Sequence, residues 1–184
     1  MRIHPATQRM TRGFTAIELL VTIAIVAILA AIAAPNFQPM FERYRLQRAM
    51  GEWENAIFFA RTEALKRGGN VYMRKTPSGD GCTADTNADW SCGWTVVYSP
   101  TGSSTPVSTD VSLQTFSRPS NTYVMLDPSR TSLLFNSSGR QKLNLIKTTF
   151  TPDKNNSVNA MAIVCSSAAG RLLTLKGEID CPGS

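Results

Sequence analysis

The hydrophobic positions in the first third of the chain form two different patterns. Residues 14–34 are an almost continuous apolar run in which Glu18 is the single charge. Beyond it, apolar residues recur every three or four positions over 46–64, and charged residues fall between them. The residues of this stripe are Leu46, Met50, Trp53, Ile57, Ala60 and Ala64. The two patterns predict an apolar helix followed by an amphipathic helix that ends at Gly68 and Gly69.

The apolar run is long enough to cross a membrane, because a helix of about 20 residues spans a hydrocarbon core of roughly 30 Å. It is preceded by three arginines and no acidic residue: Arg2, Arg9 and Arg12. Basic residues favour the cytoplasmic side, so we expect residues 1–13 in the cytoplasm and everything after Pro35 outside it. The sequence therefore predicts one membrane-spanning helix over 14–34 and an exported remainder.

Two prolines are expected to divide the helical part of the chain. Pro35 and Pro39 each remove a backbone donor and crowd the preceding turn, which predicts a helix kink at Pro35. The domain organisation that follows is a leader over 1–13, the apolar helix over 14–34, its amphipathic continuation over 35–68 and a β-rich head over 69–184.

After Asn70 the pattern changes to short apolar runs of the kind that form β-strands. Strands are predicted at 71–75, 93–98, 112–116, 122–126, 132–135, 141–145, 160–165 and 171–176. Clusters of glycine, proline, serine and aspartate between them, as at 76–81 and 99–104, predict loops. One long helix followed by antiparallel strands predicts an α+β fold in which the second half of the helix lies on a β-sheet.

Composition argues against an enzyme. The formal net charge is +6, but part of this excess belongs to the basic leader. His4 is the only histidine and also lies in the leader, so the head lacks the imidazole that most hydrolase and zinc sites need. The sequence contains no G-x-S-x-G motif and no phosphate-binding loop. We therefore expect no catalytic activity, no cofactor and no metal site.

The four cysteines all lie in the part of the chain that is expected to be exported: Cys82, Cys92, Cys165 and Cys181. An oxidising compartment favours disulfides, and four cysteines allow three connectivities. Pairing of sequence neighbours is the favoured one, which joins Cys82 to Cys92 and Cys165 to Cys181. The wide spacing and the missing histidines argue against a metal site.

Two features distinguish the apolar run from an ordinary secretion signal. The small residue Gly13 stands before the run rather than after it. Glu18 lies about one turn inside the run, where a charge is costly unless it finds a partner. The segment reads Arg12-Gly13-Phe14-Thr15-Ala16-Ile17-Glu18-Leu19-Leu20. It resembles the class III leader of type IV pilins and type II secretion pseudopilins.

This resemblance implies a role for four residues. A prepilin peptidase would cut after Gly13 and methylate the new amino group of Phe14. Glu18 would guide docking into the growing filament, with the positive terminus of a neighbouring copy as its natural partner. Pro35 would be the helix-kinking proline that is common in the family.

Further motifs narrow the resemblance to one branch. These motifs are FARTEALKRG at 59–68, GWTV at 93–96, FNSSGR at 135–140 and Gly170-Arg171. They are similar to the helix end, the GW strand, the F-x-x-x-G-R turn and the C-terminal glycine-arginine of the GspH/FimT branch of minor pilins and pseudopilins. In the helix motif we expect Ala60 and Ala64 to pack closely on the sheet. Arg61 and Glu63 are expected to stay solvated, and Glu63 is expected to pair with Arg67.

The branch implies a type IV pilin-like fold, with a long N-terminal helix packed on an antiparallel β-sheet head. It implies a minor pilin that primes a type IV pilus at its tip or, as an alternative, a type II secretion pseudopilin of the H type. The partners would be other pilins or pseudopilins, the prepilin peptidase and the inner-membrane assembly platform. The chain would sit in a bacterial inner membrane with its head in the periplasm and then enter the filament. The loop between Cys82 and Cys92 favours the pilus.

A further alternative is DNA binding, since some FimT-like minor pilins bind DNA through a C-terminal GRxR motif. This chain reads Gly170-Arg171-Leu172-Leu173 and so lacks the second arginine. The candidate phosphate contacts are Arg171, Lys176, Arg140 and Lys142. Arg74 and Lys75 are expected to be solvated rather than functional.

Overall fold

The computed structural model describes residues 13–33, 37–152, 161–177 and 180–182. The chain forms two compact units, Met1–Met40 and Phe41–Ser184. Its helices are α1 (Ala16–Ala33) and α2 (Gln38–Arg67), and α2 continues from the first unit into the second. The predicted kink at Pro35 lies outside the described residues.

Helix α1 begins with a reciprocal cap. The Thr15 hydroxyl accepts a hydrogen bond from the Glu18 backbone N–H at 3.3 Å, and Glu18 Oε2 accepts one from the Thr15 backbone N–H at 2.9 Å. This pairing satisfies two donors that would otherwise lack a partner at a helix start, which explains why α1 begins at Ala16. Within the described ranges no helix has both the length and the hydropathy of a membrane span. The membrane-spanning helix over 14–34 stays a prediction from the sequence.

Helix α2 buries the predicted stripe and ends where its glycines predict. All six stripe residues are buried, together with Ala49 and Ala56. After Arg67 the chain turns through Gly68 and Gly69, whose φ angles are +75° and +105°. The Gly69 N–H donates to the Ala64 carbonyl at 2.8 Å, which closes the last turn of the helix.

The described residues after α2 form ten strands. Their bounds are β1 (Val71–Lys75), β2 (Ser78–Gly79), β3 (Cys82–Thr83), β4 (Trp94–Tyr98), β5 (Val111–Phe116), β6 (Tyr123–Asp127), β7 (Ser132–Phe135), β8 (Leu145–Thr151), β9 (Ala162–Ser167) and β10 (Leu172–Lys176). They form one four-stranded sheet in the order β5-β4-β1-β7, a second in the order β10-β9-β8-β6, and the small hairpin β2-β3. Every pairing is antiparallel.

The predicted α+β class is confirmed, but the sheet is divided. We call β5-β4-β1-β7 the first sheet and β10-β9-β8-β6 the second sheet. One strand prediction, at 141–145, is wrong: the strand of this region is β8, which begins at Leu145. Along β8 the buried residues alternate at Ile146, Thr148 and Phe150. Three threonines and a lysine in β8 hide the alternation, because they do not look apolar in the sequence.

The two sheets share the core that α2 provides. Trp53 of α2 is completely buried and makes edge-to-face contacts with Trp94 of β4 at 4.9 Å and with Phe150 of β8 at 6.3 Å between ring centres. Since β4 belongs to the first sheet and β8 to the second, this side chain contacts both. Trp90, in the loop before β4, completes the cluster at 5.2 Å from Trp53.

Two disulfides cross-link the head. Cys82 of β3 is bonded to Cys92, just before β4, with the Cα atoms 5.5 Å apart. Cys165 of β9 is bonded to Cys181, with a Cα separation of 5.8 Å. This is the connectivity that the sequence favoured. Each bond closes a loop of the chain and so restricts the unfolded state more than the folded one.

Gly93 is required by the close approach of two strands. Its φ is +94°, and a Cβ placed there would lie 2.5 Å from the carbonyl oxygen of Phe116. We expect Gly93→Ala to lower the free energy of unfolding by about 2 kcal/mol or more, because backbone strain and a backbone clash add. Gly51→Ala is the matched control: Gly51 lies in α2 with nothing within 4 Å, so the same change should raise stability by about 0.5–1 kcal/mol.

Urea unfolding of the full chain in detergent, followed by tryptophan fluorescence, measures both effects. All three tryptophans lie in the buried cluster, so the signal reports on the head. A Gly93→Ala protein as stable as the wild type would contradict the requirement for glycine.

Candidate functional site

The residues predicted to direct processing lie at the start of α1. Gly13 and Phe14 precede the helix, and Phe14 is 78% exposed. The Glu18 carboxylate also accepts a hydrogen bond from the Thr15 hydroxyl at 2.8 Å. In the uncut chain the carboxylate is therefore held by Thr15, one residue away from the position where cleavage after Gly13 would create a new amino group.

Glu63 lies near the end of α2. The sequence predicted a solvated side chain here, but Glu63 is buried. Only 8% of this residue is exposed, and its two carboxylate oxygens accept hydrogen bonds from Lys66 and Arg67, each at 2.9 Å. The hydrogen bonds from Lys66 and Arg67 lower the pKa of the Glu63 carboxyl. The pair with Arg67 forms as expected, and the Arg67 guanidinium also lies 5.1 Å from the ring centre of Tyr98. Glu63 thus forms ion pairs with two cations at the helix end.

Arg61 is not solvated either, because it reaches across to the β9–β10 turn. Its Nη1 donates to the carbonyl oxygen of Gly170, at a separation of 109 residues along the chain. Its Nε and Nη2 are buried and have no hydrogen-bond partner among the described residues. Burial lowers the pKa of this guanidinium. The φ angle of Gly170 is +99°, and a Cβ there would lie 2.9 Å from Arg61 Nη1. Glycine at this position therefore leaves the space that the Arg61 side chain occupies.

Both glycine-arginine turns meet the same part of α2. Gly139 packs against Leu65 and the carbonyl oxygen of Arg61, and a Cβ there would lie 3.3 Å from Leu65 Cγ. Gly170 packs against the Arg61 side chain, as described above. The glycines of the two motifs therefore dock on one stretch of the helix, and the arginine that follows each of them, Arg140 or Arg171, is exposed.

The four candidate DNA contacts are not brought into one site. Arg140 and Lys142 follow β7, and the neighbouring Gln141 side chain donates to the Ser167 carbonyl at the turn that leads to Arg171. These three cations therefore lie at the same end of the head. Lys176 is at the far end of β10. At the usual rise of a strand it lies about 15 Å from Arg171.

Arg74 forms a buried network that sequence analysis missed. Only 9% of its side chain and 10% of that of Asp110 are exposed, and the guanidinium is hydrogen-bonded to the Asp110 carboxylate. A second guanidinium nitrogen donates to the carbonyl oxygen of Ser103 at 2.8 Å. Arg74 also lies 5.1 Å from the ring centre of Tyr72. The partners are about 30 residues apart in sequence, so no local pattern could have linked them.

Lys75 is also hydrogen-bonded within the head rather than solvated. Its ammonium group donates to the carbonyl oxygen of Asp89 at 3.0 Å and to that of Thr86. Burial lowers the pKa of Lys75. Together Arg74 and Lys75 attach two loops of the head to β1. In the part of the chain that the structure describes, no group of histidine, cysteine, aspartate or glutamate side chains could hold a metal ion.

The α2 helix, the two sheets and the two glycine-arginine turns define a pilin-like head. Residues 49–176 match the family described as Type II transport protein GspH, and residues 8–34 match the prokaryotic N-terminal methylation motif. The chain therefore belongs to the GspH family. Pilins and pseudopilins of this family are structural subunits that assemble with other pilins and are processed by the prepilin peptidase.

Curated relatives match through part of the chain. A fimbrial protein of Pseudomonas aeruginosa is 39% identical over 66 residues, which are 36% of this chain and 42% of the relative. The type IV major fimbrial protein FimA of Dichelobacter nodosus is 49% identical over 41 residues, or 22% of this chain and 26% of the relative. The chain thus spans less than half of the length of these relatives.

Solved structures show the same fold. The type IV minor pilin FimU of Pseudomonas aeruginosa, in one crystal form, matches with a TM-score of 0.57 at 18% identity, over 75% of this chain and 93% of FimU. A second crystal form gives a TM-score of 0.54 at 16% identity, over 71% of this chain and 93% of FimU. The predicted type IV pilin-like fold is therefore confirmed.

The Arg74–Asp110 pair predicts a specific acid sensitivity. Burial would raise the pKa of Asp110, but hydrogen bonds from the Val107 N–H and the Arg74 guanidinium outweigh it and lower the pKa to about 2. A lowered carboxyl pKa stabilises the fold fully above the unfolded value near 3.8, and this stabilisation disappears as the pH falls from there towards 2.

Asp110→Asn should therefore unfold at lower urea concentration than the wild type at pH 6, and the gap should close between pH 4 and pH 2. The control is Asp127→Asn, since Asp127 is exposed and its lysine contact is longer, at 3.7 Å. A gap for Asp110→Asn that stays constant down to pH 2 would contradict the assignment.

Proposed function

We propose that this chain is a minor pilin that primes assembly of a type IV pilus at its tip. The observation that carries the proposal is the presence of two matches on one chain: the methylation motif over 8–34 and the GspH family over 49–176. The FimU-like fold supports it, because three quarters of the chain match the architecture of a filament subunit. The mechanism is packing rather than chemistry.

The N-terminal segment supplies the assembly step. The leader over 1–13 is removed by cleavage after Gly13, and the new amino group of Phe14 is methylated. Residues 14–34 anchor the chain in the bacterial inner membrane and then pack with the equivalent segments of other pilins. Thr15 holds the Glu18 carboxylate at the first turn of α1. A carboxylate at this position can pair with the amino terminus of an adjacent subunit. This pairing is favoured, because an unpaired charge is costly in an apolar bundle.

The second half of the helix, over 35–68, and the head over 69–184 remain outside the membrane. Two disulfides and the shared tryptophan cluster keep the head folded while the subunit is moved from membrane to filament. The exposed loops and turns of the head then select its neighbours, which are other minor and major pilins. The assembly platform of the inner membrane inserts the subunit.

The second candidate is a type II secretion pseudopilin of the H type. The description of the matched family, Type II transport protein GspH, favours it. In both systems the same leader and packing apply, so the two candidates differ in the filament that receives the subunit. DNA binding is a further activity that the cations Arg140, Lys142 and Arg171 could support, since they lie at one end of the head.

The proposal is tested by matched substitutions in the organism that carries the chain. We expect Gly13→Val to remain uncut and absent from filaments, because the peptidase would need the small residue before the cut. Glu18→Gln should be cut normally but be strongly depleted from filaments. Glu42→Gln, which removes one carboxylate from α2, is the control and should be cut and incorporated like the wild type.

Mass spectrometry of the N-terminus measures cleavage and methylation, and immunoblots of sheared pili measure incorporation. Normal incorporation of Glu18→Gln would contradict the role of the carboxylate. A deletion strain that keeps its pili but no longer secretes type II substrates would contradict the pilus proposal and support the pseudopilin candidate.

A further inference from the structure

A basic groove lies between α2 and the loop that follows β5. Its volume is about 610 Å³. Its walls include the aromatic and basic side chains of Phe41, Tyr44, Arg45, Arg48, Phe116 and Arg118. All of them belong to the second compact unit, so the groove is a feature of that unit alone. Neither the processing site nor the glycine-arginine turns contribute to it.

The groove carries excess positive charge. Glu52 is the acidic residue of its wall, and one nitrogen of Arg48 is bonded to it at 3.0 Å. Arg118 donates one hydrogen bond to the carbonyl oxygen of Gly81 at 3.2 Å. Arg45 makes no ion pair within the described residues. Most guanidinium donors of the groove are thus available, and a guanidinium binds a phosphate with paired hydrogen bonds.

The acidic residues next to the groove do not cancel this charge. Asp89 lines the adjoining cavity beyond Arg45 and Arg118, but it is buried and accepts hydrogen bonds from the backbone of Asp85 and Ser91. Glu42 also faces that cavity rather than the groove itself. An anion in the groove would therefore meet three arginines and one carboxylate that is already paired.

Two of the three aromatic residues of the groove are largely exposed. Phe41 is 54% and Tyr44 is 66% exposed, although both are large and carry apolar surface. Tyrosine is enriched at membrane–water interfaces, where its ring meets the acyl boundary and a neighbouring cation can reach the headgroup. The combination fits a phospholipid better than a small inorganic anion, which needs no apolar contact.

The position of the groove along the chain also favours a lipid. Phe41 follows the last residue of the apolar run by seven positions, and seven residues reach at most about 25 Å even when fully extended. If residues 14–34 are in the bilayer, the groove cannot be far from its surface. The cations Arg140, Lys142 and Arg171 belong to other elements of the head, so a long polyanion would find no continuous basic track here.

We propose that this groove binds the phosphate headgroup of an anionic phospholipid in the membrane that anchors the chain. The inference rests on the proposed function, since it needs the membrane anchor. Arg45 and Arg118 contact the phosphate, and Phe41 and Tyr44 contact the acyl boundary. The bound lipid holds the head against the bilayer until the subunit is moved into the filament.

The test uses the full chain in lipid nanodiscs made of phosphatidylcholine alone or of phosphatidylcholine and phosphatidylglycerol in equal parts. Hydrogen–deuterium exchange is measured for peptides that cover 41–48 and 115–120. We expect phosphatidylglycerol to slow exchange severalfold in both peptides, and high salt to remove this protection because it screens the contact. Arg45→Gln/Arg118→Gln should lose the protection. Arg140→Gln/Lys142→Gln, which removes the same charge elsewhere, should keep it.

The single variant Arg45→Gln guards against a folding defect, because Arg45 makes no described ion pair, and it should lose most of the protection alone. Equal exchange in the two lipids, or full protection in Arg45→Gln, would overturn the headgroup site while leaving the membrane anchor intact. A chain that does not enter nanodiscs at all would overturn the anchor and this inference with it. Protection of the same peptides by a single-stranded oligonucleotide, without any effect of phosphatidylglycerol, would assign the groove to nucleic acid instead.

Discussion

The burial of Trp53 is the interaction on which the architecture of the head depends. This one side chain of α2 is completely buried and packs edge-to-face on Trp94 of the first sheet and Phe150 of the second. Aromatic pairs of this geometry add about 0.5–1.5 kcal/mol each to the hydrophobic gain of burial. Without the helix the two sheets would each expose an apolar face. Helix α2 therefore covers the apolar faces of both sheets.

This arrangement suits the structural-subunit role of the family. Alanines at 49, 56, 60 and 64 let the backbones approach, and the opposite side of α2 stays exposed. The turns at Gly139 and Gly170 dock on the same helix, so the edges of the head are fixed relative to α2. A head attached to its helix in this way would present a constant surface to the neighbouring subunits of the proposed filament.

Local signals in the sequence predict much of this structure. The spacing of the α2 stripe, the glycines after Arg67 and the leader motif each act within a few residues, and so they could be interpreted directly. The division into two sheets depends on distant pairing and could not. Likewise, the contact of Arg61 with Gly170 spans 109 residues, and that of Arg74 with Asp110 spans 36. Both arginines were expected in solvent because their partners carry no local pattern.

Native-state hydrogen exchange tests most directly whether the two sheets depend on one helix. In the full chain, amides of β4 and β8 should open with the same free energy, because neither sheet keeps its apolar face covered once α2 leaves. Trp53→Phe should lower both opening energies by equal amounts. The account would be contradicted if β8 remained protected while β4 opened, or if the substitution affected one sheet alone.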